Sequence, residues 1–113
     1  MTESYLQTQC VKYFRYRYPK LKRLLFAVPN GHYRNKATGV RLKNEGVVPG
    51  VADIILLIPN RGFSSLCIEL KVGRNKQTEN QLEWAEAATS AGNLYKVVTN
   101  FDQFRELVDW YMN

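Results

Sequence analysis

Apolar positions recur along this chain in two rhythms, one helical and one alternating. Leu6, Cys10, Val11, Phe14 and Tyr18 fall at mostly helical spacing, so Thr2 to Tyr18 is predicted to be a helix. Thr2 or Ser4 can cap its start and Pro19 closes it, while Lys12, Arg15 and Arg17 decorate its other face. After a basic connector, Lys20 to Lys22, the run Leu24 to Val28 reads as a short strand ended by Pro29-Asn30-Gly31. Lys36 to Asn44 fits a short helix with Ala37, Val40 and Leu42 inward, although Gly39 weakens it by about 1 kcal/mol relative to Ala. Two apolar runs follow, Ile54 to Ile58 and Leu66 to Ile68, separated by the turn signal Pro59-Asn60-Arg61-Gly62. They are expected to pair as an antiparallel hairpin centred near Arg61 and Gly62. Thr78 then opens a helix to about Ala91, with Trp84, Ala85, Ala88 and Ala91 as its inner stripe. Leu94 to Val98 is a further strand. Thr99 or Asn100 caps a last helix whose apolar face is Phe101, Phe104, Leu107, Val108 and Tyr111. This order predicts one α/β domain over residues 1–113, a mixed central β-sheet flanked by helices.

Charge and cysteine usage narrow the class. The formal net charge is +6 over 113 residues, which favours a polyanionic partner, with nucleic acid ahead of an anionic membrane. No apolar run approaches the roughly 20 residues that span a bilayer, and no signal-peptide core is visible. Cys10 and Cys67 lie far apart in apolar patterns without CxxC spacing, so both are expected to be reduced core residues, as suits a cytoplasmic protein.

The chemistry gathers at the hairpin. Side chains alternate along a strand, so in Cys67-Ile68-Glu69-Leu70-Lys71 the acid and the amine share one face while Ile68 and Leu70 point into packing. The expected hairpin sets Asp53 opposite Glu69 to Lys71. Two acids can hold a divalent cation, and a lysine beside it can orient a water or steady developing negative charge. Three other residues carry two readings each. Glu3 complements the dipole of the first helix or reaches the site as a third carboxylate. Gln81 completes a capping box with Thr78 or serves the site. His32, the lone histidine, is a solvated loop residue or a base or ligand, but no second ligand completes a zinc site.

Taken in order, these residues resemble the VRR-NUC domains, small nucleases of the PD-(D/E)xK superfamily. The resemblance rests on Glu3, then Pro29-Asn30-Gly31, then Arg34-Asn35-Lys36-Ala37-Thr38. It continues through Gly46, Pro49-Gly50-Val51-Ala52-Asp53, Ile68-Glu69-Leu70-Lys71 and Thr78-Glu79-Asn80-Gln81. It covers nearly the whole chain. Ala52 stands where the family has its proline, and His32 where a second glycine is common; neither removes a chemical group. The resemblance implies a restriction-endonuclease-like fold. It implies that Asp53, Glu69 and the main-chain carbonyl of Leu70 bind Mg²⁺ or Mn²⁺, with Glu3 completing the shell directly or through water. Lys71 would position or activate the attacking water, and Gln81 would orient one of them. Asn30, Arg34, Lys36, Arg41, Lys43, Arg74 and Lys76 flank this site in sequence and are expected to follow DNA backbones. The resemblance further implies a homodimeric, structure-selective endonuclease acting on branched DNA such as four-way (Holliday) junctions, and a phage or mobile-element origin. The alternative is a nucleic-acid-binding module on a nuclease fold that no longer cuts.

Overall fold

In the computed structural model, which describes residues 1–29 and 36–113 and only the backbone of Lys36, the sheet is organised by one tight turn. Asn60 and Phe63 exchange backbone hydrogen bonds of 3.1 and 2.9 Å, and Arg61 and Gly62 between them have φ of 53° and 84°. Two successive positive φ values are the mark of a type I′ turn, whose twist matches that of antiparallel strands. The turn joins β2 (Ile54–Leu56) to β3 (Leu66–Leu70), with Ile54 opposite Ile68 and Leu56 opposite Leu66. β1 (Leu25–Ala27) pairs antiparallel with β2, and β4 (Leu94–Val98) pairs parallel with β3. The sheet order is therefore β1-β2-β3-β4, mixed in sense as expected.

Among the described residues four α-helices accompany the sheet: α1 (Glu3–Arg17), α2 (Lys36–Asn44), α3 (Glu79–Ser90) and α4 (Phe101–Met112). Pro19–Leu24 forms a 3₁₀ helix in place of the plain connector expected there. Leu6, Cys10 and Phe14 of α1 and Phe104, Val108 and Tyr111 of α4 share one core with Leu25, Leu56, Ile68, Leu70 and Val98 of the sheet. The helical spacing that predicted these faces is realised in burial. Cys10 and Cys67 are buried free thiols, as their apolar settings suggested.

Three expectations need correction. β1 and β2 are shorter than the apolar runs that contain them, because Leu24 closes the 3₁₀ helix and Leu57 is exposed beyond the ladder. α2 has the expected bounds, yet Ala37 and Val40 are exposed and Leu42 is only half-buried. Its few small apolar side chains offer little area to bury, and none joins the core cluster. Ala91 is also exposed, because it caps α3 and lies beyond the last residue facing the sheet.

Candidate functional site

The strand alternation of β3 divides its side chains between two environments. Leu66, Ile68 and Leu70 enter the core shared by α1 and α4. Cys67, Glu69 and Lys71 point to the opposite face, where α3 lies over β4. Trp84 of α3 packs on Tyr95 with ring centroids 6.1 Å apart, and Gln77 Nε2 donates to Tyr95 Oη at 3.0 Å.

Asp53 enters this site from the end of β2. Its carbonyl accepts from Val28 N at 2.9 Å, and its side-chain Oδ2 accepts from Leu70 N at 2.8 Å. The carboxylate thus takes the place of a ladder acceptor where β2 stops, which fixes Asp53 directly against β3. The approach to it is equally constrained. Gly50 has φ of +88°, and a Cβ there would lie inside contact with the Asn80 carbonyl and 2.8 Å from Gln81 N. Only glycine lets the Gly50-Val51-Ala52 segment run this close to the first turn of α3.

Glu69 is 1% exposed. Its Oε2 accepts from Gln81 Nε2 at 3.0 Å and lies 3.7 Å from Lys71 Nζ. Its Oε1 is buried and has no hydrogen-bond partner among the described residues. Burial pushes the Glu69 carboxyl up to about 8; the nearby Asp53 charge and a hydrogen bond to Asp53 add to this, and Lys71 opposes it. A carboxyl desolvated beside a second carboxyl resists ionising unless a cation compensates it.

Gln81 is both a helix cap and a hydrogen-bond partner of Glu69. Thr78 N donates to its Oε1 at 2.8 Å and its own N–H bonds Thr78 Oγ1 at 3.2 Å, which completes the capping box of α3. The other end of the same amide, Nε2, holds Glu69. Glu3 is placed differently. Its Oε2 accepts from Asn75 Nδ2 at 2.9 Å and from Val72 N at 3.4 Å. It therefore secures the loop after β3, close enough to Glu69 to add to its proton affinity.

The donor set can be tested against a divalent cation. Among the described residues, no three His, Cys, Asp or Glu side chains converge as a ready metal cluster. Mg²⁺ ordinarily takes only one or two carboxylates and keeps several waters. Asp53, Glu69 with its unsatisfied Oε1, and the Leu70 carbonyl are hard oxygen donors of that kind, so the residues fit the group.

The basic residues separate. Arg74 and Lys76 are exposed in the loop after β3, and Lys76 lines a cleft of about 420 Å³ with Lys71, Asn75 and Gln77. Arg41 and Lys43 lie on α2, where Arg41 is paired with Glu45 at 3.1 Å. Asn30, His32 and Arg34 lie outside the described residues, as does the Lys36 side chain.

The strand order, the hairpin and the acid pair together decide the comparison. This is the fold of a VRR_NUC domain. A solved structure described as a VRR_NUC domain protein superposes with a TM-score of 0.85 at 23% sequence identity, covering 99% of this chain and 88% of its own. No protein-family model matches the sequence, and no curated protein matches it. Sequence reasoning missed two residues of this site: Asn75, which Glu3 holds, and Tyr95, which Gln77 holds. Neither belongs to a local motif, because each meets its partner only after the sheet and α1 are assembled.

Proposed function

We propose that this protein is a metal-dependent endonuclease that hydrolyses phosphodiester bonds in DNA. The observation that carries this reading is the buried Glu69 carboxyl facing the half-buried Asp53, with Lys71 beside it and one Glu69 oxygen unsatisfied among the described residues. The likeness to a VRR_NUC domain structure supports it. Mg²⁺ or Mn²⁺ held by Asp53, Glu69 and the Leu70 carbonyl would supply positive charge against the negative charge that builds up when a nucleophile adds to a phosphodiester. The side chains do the rest. Leu70 N–H fixes the orientation of Asp53. Gln81 fixes Glu69 through Oε2 and leaves Oε1 for the cation. Lys71 holds its ammonium 3.7 Å from Glu69 Oε2, where it can donate to the attacking water or to a phosphate oxygen.

The substrate in this reading is branched DNA such as a four-way junction, and the working form is a homodimer. A two-fold dimer carries two sites and can nick two strands of a symmetric junction. Val40, Val47 and Val48 are 54%, 46% and 50% exposed on α2 and the segment behind it, apolar surface of the sort a second subunit covers. Light scattering at micromolar concentration should give the dimer mass, and Val48→Glu should shift it toward monomer. A monomeric wild-type protein would remove the dimer from the proposal.

The decisive experiment incubates the protein with labelled four-way junction, flap and linear duplex DNA in Mg²⁺, Mn²⁺ or EDTA, beside Lys71→Ala. Junction cleavage that needs metal and disappears in the variant is expected. Equal cutting of all three DNAs would sink the junction preference and keep the chemistry. Binding without cleavage in either metal would overturn the nuclease reading in favour of a DNA-binding module.

A further inference from the structure

The positive charge of this chain is not spread over its surface. Residues 4–44 hold ten of the sixteen Lys and Arg residues and no Asp or Glu, whereas the rest of the chain holds six bases and all ten acids. Part of this block folds around a cleft of about 450 Å³ between the C-terminal half of α1, the 3₁₀ helix and β1. Arg15, Lys22 and Arg23 line it with Leu25 and Phe26. Among the described residues none of the three cations has an ion-pair partner, while the ion pairs the structure does contain lie elsewhere. A surface charged only for solubility mixes both signs; three unpaired cations around one concavity are the pattern of a bound polyanion.

We infer that this cleft is a second anchoring site for the nucleic-acid backbone, taking phosphates of the same strand or arm that reaches Asp53 and Glu69. The inference rests on the nucleic-acid reading above. Register supports it. Phe26 pairs with Ile55 and Ile55 with Cys67, so Phe26 lies on the sheet face that carries Glu69, while Leu25 and α1 lie on the other, and the cleft wraps the β1 edge between them. Two strand spacings and two residues along β3 separate Phe26 from Glu69, roughly 12 Å. That is the axial rise of about three to four nucleotides of a duplex. The carboxylate pair itself repels phosphate, so the backbone needs cations on both sides of it. Lys71 and Lys76 stand on the β4 side. The cleft supplies the β1 side. Phe26, 41% exposed beside the cations, offers a ring against which a sugar or an unpaired base can pack.

The test is binding in EDTA, where no cutting confuses the signal. Fluorescence anisotropy would follow labelled duplex and four-way junction DNA across a salt series for the wild type, for Lys22→Ala/Arg23→Ala, and for Lys96→Ala/Arg105→Ala as a control of equal charge. Each lost phosphate contact lowers the slope of log K against log salt by about 0.9, so the cleft variant should lose about 2 from that slope and bind more than tenfold more weakly. The control should change neither by as much as half of that. Equal losses in both variants would show a general charge effect and overturn the inference, as would a cleft variant indistinguishable from wild type. Cleft-dependent binding by a protein that never cuts would sustain the inference and sink the nuclease reading. Cleft-dependent binding to phosphatidylserine-containing vesicles, with none to DNA, would move the partner to a lipid surface and overturn it.

Discussion

Glu69 is held at the cost of its own charge. Between its ordinary value of 4.5 and the value of about 8 that burial and Asp53 impose, the folded, metal-free protein keeps a proton that the unfolded chain has shed. The folded state binds more protons in that window, so raising the pH through it favours unfolding. Stability in EDTA should therefore fall as pH rises from about 5 to about 8, and Glu69→Gln should remove most of the slope. Thermal unfolding across that range reads both; a wild-type midpoint that climbs with pH would refute this account. Gln81 permits a separation of roles at the same scale. Thr78→Ala removes the cap but spares the Gln81–Glu69 bond, so it should cost about 1 kcal/mol of stability and leave catalysis largely intact. Gln81→Ala should cost a similar amount of stability and most of the cleavage rate as well. If the two variants cleave alike, Gln81 is only a cap. The sequence shows that Gln81 fits a capping box and lies near the motif, but it cannot show that one amide has an end in each.

Elements place these residues, and the close packing of Gly50 on α3 is the tightest of the placements. Gly50→Ala combines a positive φ with a clash against the Asn80 backbone. It should destabilise the fold by about 2 kcal/mol or more and move Asp53 from β3. Denaturant unfolding and the cleavage assay together check this; a variant with wild-type stability would mean that the approach can bend at no cost. What could be read beforehand differs from element to element. The hairpin was legible because period-two alternation and a turn signal fix the register between them. α1 and α4 were legible because each presents a long apolar stripe to the core. The inward face of α2 was not, since Ala37 and Val40 carry the helical period without enough area to hold the helix down. Glu3 could be placed near the site from its helix, but its bond to Asn75 depends on a loop whose path no periodicity describes.

The whole molecule has a direction. At the far end of the hairpin from Asp53, Asn60 Nδ2 donates to Tyr111 O at 2.7 Å and Arg61 Nε donates to Trp110 O at 2.8 Å, with the guanidinium 4.2 Å above the Trp110 ring. Tyr111 Oη returns a bond of 2.7 Å to Ile58 O. The turn thus satisfies the Tyr111 carbonyl at the end of α4 and adds a second donor to the Trp110 carbonyl, which Asn113 N also reaches at 3.3 Å. At the opposite end Thr2 caps α1 and Glu3 grips the loop beside Lys71. The first residues of the chain border the candidate site, and the last ones are fastened a hairpin's length away. An affinity tag or fluorescent fusion on Met1 would crowd the candidate site, whereas one on Asn113 would trail from the remote pole. A purified protein carrying the first kind of handle would be the wrong one on which to judge whether this fold cuts.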